Sequence, residues 1–505
     1  MNAHYIHVEA VNIDKFIYDT NDLNTIRGGN LLLLDAIDMI NNKFDDLDPI
    51  CTGASKGLFK YKEKNEKISV ILAKIRACLA KPPKKYSGLQ YASFIVESQP
   101  VDEIFKRDKE ILQACIRWEQ YKNPTIRVPE INSKTDITPC DYNRMLPGTK
   151  YIKRNDKEER VSESVFLRRN YGRDAKKSFY EKQLKKLEYL DTSFVNSFEE
   201  LTERKNGPLA NKMAVIYADG NRFSKIQNTF CTSPKKLTKF DLTIKNYRKE
   251  ALTKLIDQMS NDKDFQNNGK LRLETLLWGG DEFMWVVPAW KGFETLKLFY
   301  DESSNWHFQV EEEDIMLKHG AGIVFCSYKA PIHAITKLCK YIAEAAKEKA
   351  KNECKGVKSK NLFQYIILES FDNIGQSLST YRKKQFPCPA RLSLDGNKIS
   401  DLETIFKQIK QHVSRRQIHE IAEIVINNNF SDEMYQKFIE RILQTASPEA
   451  QKAIINLQQS GLLGESSALN SKGLNQLPGI WIHVRELWDY IVPDESNIIE
   501  RTENV

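Results

Sequence analysis

The stretch LLWGGDEFMWVV, Leu276 to Val287, sets two glycines and two carboxylates between apolar flanks. The flanks read as strands and the centre as the tight turn that joins them. Gly279 and Gly280 can take positive φ there and add no side-chain bulk. Asp281 and Glu282 follow at once, so carboxylates project where a ligand's phosphates could approach the backbone. Acids this close repel and raise one another's pKa unless a cation relieves them. Hard oxygen donors suit Mg²⁺ or Mn²⁺, which complete their shells with water and nucleotide phosphate.

Such a site needs a further acid, and VIYADGNRFSKIQN (Val215 to Asn228) offers it. Asp219 ends an apolar strand and leads through a Gly-Asn turn into a helix. Around these two stretches the order is strand (KMAVIYADGNRF), helix (LTIKNYRKEALTKLIDQM), hairpin (LRLETLLWGGDEFMWVVPA), helix (FETLKLFYDESSNW) and strand (GAGIVFCSY). A helix with Ile332, Ile335, Leu338, Ile342 and Ala346 at helical spacing and a last strand, NLFQYIILES, follow. In a ferredoxin-like sheet the first strand lies beside the hairpin, so Asp219 would meet Asp281. Two metals on shared carboxylates can activate a 3′-hydroxyl and stabilise leaving pyrophosphate. Backbone N–H groups from Gly220 to Phe223 could cradle triphosphate oxygens at the loop-to-helix junction.

The same β-α-β-β-α-β order is expected near the N-terminus: YIHVEAVNI, RGGNLLLLDAIDMINNKF, PICTGASKGLFKYK, KISVILAKIRACLAK and YASFIVESQ. Between the two units, Lys and Arg crowd residues 150 to 186, which reads as a helical connector with exposed charge, a solvated face or an RNA-contacting one. After residue 390 the chain is helical. Leu402, Ile405, Phe406, Ile409 and Val413 form a stripe, Ser447-Pro448 a helix start and Gly461 a stop. The 505 residues carry a net charge of +8, mild for this length and compatible with nucleotides or RNA. Nine scattered cysteines without a C-x-x-C pair read as free thiols. With no signal peptide and no membrane-spanning run, a soluble, cytoplasmic protein is expected.

WGGDEF together with ADGNRFSKI resembles the palm domain shared by GGDEF diguanylate cyclases and the large polymerase/cyclase subunit of type III CRISPR complexes. The CRISPR subunit is the nearer likeness, through GAGIVFCSYKAPIHAITKLCKYIAEAAKEKAK and the N-terminal NIDKFIYDTNDLNTIRGGNLLLLDA. The resemblance implies an enzyme that joins nucleoside triphosphates 3′ to 5′ and often cyclises the product. It implies Asp219, Asp281 and Glu282 as catalytic metal ligands for two Mg²⁺ or Mn²⁺ ions. It makes Lys347 a triphosphate contact and groups Gly220, Asn221, Arg222, Phe223, Gln227, Asn228, Gly279 and Gly280 around the nucleotide. Diguanylate cyclases carry D-x-D-x-F-K and then Asn-Asp at the base-reading positions. This chain has Asp219-Gly-Asn221-Arg-Phe223-Ser224 and then Gln227-Asn228, which speaks against guanine selectivity, and the resemblance to the CRISPR subunit implies ATP.

The implied architecture is α+β: a degenerate ferredoxin-like palm (1–130), a basic connector (131–205), an active palm (206–385) and a C-terminal helical bundle (386–505). In the first palm Asn12-x-Asp14-x-Phe16 is aligned with Asp219-x-Asn221-x-Phe223, and Gly53-Ala54-Ser55-Lys56 with Gly279 to Glu282, so its acids read as lost. Arg27-Gly28-Gly29 reads as a helix-entry turn or a contact to a second nucleotide. Cys140 lacks a C-x-x-C partner and no His-Asp dipeptide occurs, so neither the zinc site nor the HD nuclease of many such relatives is expected. Expected partners are nucleoside triphosphates, with RNA, ribonucleoprotein subunits and self-association open. Two other readings stand beside the cyclase: a nucleotide- or RNA-binding sensor or scaffold without turnover, and a primed or templated polymerase.

Overall fold

The computed structural model describes residues 2–53, 55–64, 66–122, 138–154, 157–184, 193–369, 378–385, 392–426, 432–460 and 479–491. Ala54 and Gly461 lie outside them. The fold is mixed α+β. The first unit runs β1 (Ala3–Val11), α1 (Leu23–Lys43), β2 (Leu47–Cys51), β3 (Lys56–Lys62), α2 (Ile68–Ala80) and β4 (Ser93–Pro100), with sheet order β2-β3-β1-β4. A helix, α3 (Phe105–Lys122), follows.

The second unit repeats this plan: β5 (Lys212–Gly220), helices α5 (Phe223–Phe230) and α6 (Pro234–Asn261), β6 (Glu274–Gly279), β7 (Glu282–Pro288), α7 (Gly292–Ser303), β8 (His319–Ser327) and α8 (Ile332–Glu353). Its sheet runs β6-β7-β5-β8 and is extended by β9 (Leu362–Ile367), parallel to β8, and β10 (Leu394–Asp395). Central β5 is nearly all buried because α8 packs on β5 and β8 from one side and α7 from the other. The start of α6 is fixed locally: Ser233 caps the Lys236 N–H and Pro234 stands in the first turn.

The connector departs from expectation. Its helix α4 (Glu163–Gln183) is packed, not solvated, and buries Val165, Arg168, Tyr171, Gly172, Ala175, Lys176, Phe179 and Tyr180. Arg168 and Lys176 point inward because acids wait there, whereas Arg173, Lys177 and Lys182 stay exposed. Arg168 binds both oxygens of Asp19, at 2.8 and 2.7 Å. Lys176 reaches Glu274 on β6 at 2.9 Å and the Val195 carbonyl at 2.6 Å. Glu274 also accepts Arg27 of α1 at 2.6 Å, so one buried carboxylate ties together the first unit, the connector and the second sheet.

Arg27-Gly28-Gly29 is therefore no helix-entry turn. It lies inside α1, which starts at Leu23, where Asp22 accepts the Thr25 N–H at 2.9 Å. The glycines serve helix packing: a Cβ on Gly28 would stand 2.6 Å from the Arg168 carbonyl carbon, and one on Gly172 2.6 Å from the Gly28 nitrogen. Gly172→Ala must push α1 and α4 apart, and is expected to cost about 1–3 kcal/mol, read as a lowered thermal midpoint.

Among the described residues of the C-terminal region, five helices (Ile399–His412, Arg415–Ile426, Asp432–Thr445, Pro448–Gln459 and Ile480–Leu487) follow, and Leu402, Phe406, Ile409 and Val413 are buried. Ser447 caps the Ala450 N–H, as the Ser-Pro start requires. His483 meets the Tyr365 hydroxyl on β9 at 2.7 Å, and one apolar cluster runs from Tyr5 to Ile491. The cysteines among the described residues are free thiols, and no described helix is long and apolar enough to cross a membrane.

Candidate active site

The β6–β7 hairpin turns through Gly280 and Asp281, with Gly279 paired to Glu282. Only Gly280, the first of the two turn residues, takes positive φ, at 54°; Gly279 stays in the strand, paired with Glu282. Across β7, Glu282 is paired with Asp219 of β5. These acids, far apart along the chain, thus share one end of the sheet through register.

Asp219 and Asp281 line the same cleft and each acts on the other's ionisation. Burial first, and then the charge of Asp281, raises the Asp219 pKa well above the carboxylate range; Lys347 opposes this. Burial and the Glu282 charge raise Asp281 likewise. Lys347, on α8, rests its ammonium on Asp219 and lies 3.4 Å from Glu344. Burial alone would lower the Lys347 pKa, but the Asp219 charge and hydrogen bond hold it above its ordinary value. The Glu282 carboxylate turns to the Tyr217 hydroxyl at 2.6 Å. Accordingly, among the described residues no group of three or more His, Cys, Asp or Glu is gathered as a ready metal site.

An open cleft of about 590 Å³ lies over these acids, lined by Asp219, Gly220, Arg222, Phe223, Ser224, Lys225, Asp281, Glu282, Lys347 and Lys351. Several expected nucleotide contacts also serve the fold. Asn221 is buried: its N–H donates to the Lys318 carbonyl at 2.7 Å and its amide to that of Lys360 at 2.8 Å. The expected run of free N–H groups from Gly220 to Phe223 is therefore broken at Asn221. The Arg222 guanidinium closes the end of α8, donating to the carbonyls of Lys351, Cys354 (2.9 Å) and Gly356. The Phe223 ring packs on Phe240 and His319. Gln227, Asn228, Gly279 and Gly280 are not among the lining residues, and Asn228 accepts Lys109 of α3 at 3.1 Å. Sequence reading missed Tyr217, Lys225, Glu344 and Lys351. Tyr217 precedes Asp219 by two residues, on the same face of β5, and Lys351 follows Lys347 by one helical turn, so both were within reach of periodicity.

The first unit carries a mirror of this cluster, at a register three residues from the one expected. Glu9, not Asn12, stands opposite Lys56, as Asp219 stands opposite Glu282. Asn12, at φ 54°, precedes its helix as Arg222, at φ 61°, precedes α5. One acid is thus retained, contrary to the expectation that both were lost. It is neutralised: buried Glu9 pairs with Lys56 at 3.1 Å and lies 3.7 Å from Arg117 of α3. Arg117 follows the fourth strand of its unit as Lys347 follows the fourth strand of its own.

Residues 212–355 match the family model of the Cas10/Cmr2 second palm domain. This segment is a Cas10/Cmr2-type palm. The palm spans β5 to the end of α8 and holds all three acids and Lys347. Csm1 of T. onnurineus has a similar structure (TM-score 0.55, 12% identity, covering 98% of this chain and 70% of that one). So does the Csm1–Csm4 cassette in complex with cA4 (0.52, 14%, 97% and 70%) and with one ATP (0.51, 12%, 98% and 70%). At these identities the likeness beyond the palm is one of fold. No curated protein matches the chain significantly.

Proposed function

We propose that the protein is a nucleotidyltransferase of the type III CRISPR kind. It joins nucleoside triphosphates, ATP foremost, 3′ to 5′ into cyclic or short oligonucleotide signals in antiviral defence. The observation that carries this is the convergence of Asp219, Asp281 and Glu282 with Lys347 at the floor of one open cleft. The similar cassettes crystallised with ATP and with cA4, and with Csm4 as companion, support a nucleotide ligand and membership of a larger assembly. We read both sheets as ferredoxin-like palms, the first being the scaffold and the second the active one.

The donor set fits a hard divalent cation: two carboxyls with raised proton affinity face each other, and an ammonium already rests on one of them. Asp219 and Asp281 would hold Mg²⁺ or Mn²⁺ with Glu282 as the further oxygen donor. Bound there, two such ions would assist ionisation of a 3′-hydroxyl and offset charge on the leaving pyrophosphate. The chain's own residues do the rest. Lys347 supplies fixed positive charge at the cleft floor, where a triphosphate gains most from it. Lys351, Lys225 and Ser224 border the same opening, and Tyr217 orients the Glu282 carboxylate. Lys347→Met is expected to raise KM for ATP about tenfold or more, the worth of a hydrogen bond to a charged group, with a smaller change in kcat; steady-state kinetics across ATP concentrations would read this.

One observation favours the sensor reading: Lys347 already neutralises Asp219 and Tyr217 already holds Glu282. The deciding experiment incubates the full chain with each nucleoside triphosphate and Mg²⁺ or Mn²⁺, with and without RNA, and identifies products by mass spectrometry. Metal-dependent 3′–5′ linked product supports the enzyme. Saturable nucleotide binding without product under every condition overturns it in favour of the sensor.

A further inference from the structure

A second cavity, of about 270 Å³, opens between α1, α4 and α6, where Thr52 of the first unit faces Trp278 of the second. It is not the catalytic cleft. Trp278 pairs with Phe283, the neighbour of Glu282, and alternate residues of a strand face opposite sides, so cavity and acids lie on opposite faces of the sheet. Arg248 of α6 lines this cavity and is 6% exposed, yet its Nε and Nη1 have no hydrogen-bond partner. The indole N–H of Trp278, 2% exposed and lining the same space, has none either. The guanidinium stands 4.9 Å from the centroid of the Trp278 ring.

Asp241, Asp281 and Glu282 act on Arg248 through space only, and none of them accepts a hydrogen bond from its Nε or Nη1. Lys245 and Lys182, also in the wall, consume the nearby acids: Lys245 holds Asp241 at 2.6 Å and Lys182 holds Asp35 at 3.0 Å. Asp38 stands exposed at the cavity's edge; partial desolvation and the Asp35 charge raise its pKa, and Lys182, Lys245 and Lys249 oppose this. Lys249, half-buried in the wall, makes no ion pair among the described residues. A buried cation and a buried indole donor without acceptors are costly, and their convergence on one cavity calls for an anion with several acceptor oxygens.

We propose that this cavity binds a small phosphomonoester. Arg248 and the Trp278 N–H donate to its phosphate, Lys249 adds the second charge, and Leu31, Leu34 and Phe179 line the space for its organic part. A dianionic phosphate suits the guanidinium fork. Because the walls come from both palm-like units and the connector helix, an occupied site joins all three.

The test is calorimetric titration of the full chain with AMP and, separately, inorganic phosphate. EDTA is present so that no divalent ion bridges the ligand to Asp219 and Asp281. Saturable binding is expected, tighter for AMP, weakened at least tenfold by Arg248→Met and by Lys249→Gln, and not weakened by Asp281→Ala. Arg248→Met is also expected to raise the thermal midpoint of the ligand-free protein, since an unpaired buried charge is removed; a loss of binding then cannot be ascribed to misfolding. If that variant does not fold, Lys249→Gln decides alone. No saturable binding, binding that survives both substitutions, binding lost in Asp281→Ala, or binding of phosphate without AMP each overturns the proposal.

Discussion

Asp281→Ala should lower product formation from ATP by at least about a thousandfold, about 4 kcal/mol of transition-state free energy, while making the metal-free protein more stable. Both halves follow from one arrangement. Asp219 and Asp281 are packed together, and each is harder to ionise because of burial and its acidic neighbour. Removing Asp281 takes away that repulsion, though not the burial, so Asp219 ionises more easily and its pair with Lys347 strengthens. On the proposed reading, the same removal would delete a cation ligand that Glu282, turned to Tyr217, would not replace. Product yield by mass spectrometry and a thermal melt in EDTA check the two halves. Glu9→Gln is the matched control. It stands at the equivalent strand position in the first unit but is already neutralised by Lys56, so turnover should stay within about threefold of wild type. A variant at Asp281 that retains turnover would end the catalytic assignment. Loss of turnover in Glu9→Gln would end the asymmetry between the units.

The residues that were legible in the sequence are those whose role is local. Strand alternation around Gly279-Gly280 and the apolar run into Asp219 located the hairpin and its neighbour, and pairing rules then brought 219 beside 281. Ser233-Pro234 and Ser447-Pro448 marked helix starts because a cap acts within one turn. What stayed hidden was set by partners far along the chain. A Lys/Arg-rich helix looks the same whether its charges meet water or meet Asp19 and Glu274, which lie 149 and 98 residues away. The first unit's register was misplaced because Asn12-x-Asp14-x-Phe16 imitates the spacing of Asp219-x-Asn221-x-Phe223, whereas cross-strand pairing, invisible to spacing, puts Glu9 at that position. Asn221 and Arg222 sit in a motif that suggests ligand contact, but the sharp turn after β5 consumes both to satisfy the carbonyls of Lys360, Lys351, Cys354 and Gly356.

The second large effect is on stability. Glu274→Gln keeps the shape of the side chain and removes the negative charge that both Arg27 and Lys176 contact in a site from which water is excluded. Breaking a buried ion cluster by deleting one member leaves uncompensated charge, here two cations, and costs about 3–5 kcal/mol. The loss should appear as a lower urea midpoint and earlier release of the first unit, since the cluster joins α1, α4 and β6. pH offers an independent check. Burial, and then Arg27, lowers the Lys176 pKa to about 8 despite Glu274. The unfolded chain therefore binds this proton more tightly than the folded one, and Lys176 makes stability rise with pH from about 8 until tyrosines titrate near 10. In Glu274→Gln that rise should begin at lower pH, because nothing then holds the proton on Lys176. Combining Glu274→Leu with Arg27→Met and Lys176→Met should recover most of the lost stability, because well-packed apolar groups can substitute for a buried ion cluster. A single Glu274→Gln variant within about 1 kcal/mol of wild type would mean that water or a rearranged acid reaches the two cations, and that the three segments are held together by apolar packing alone.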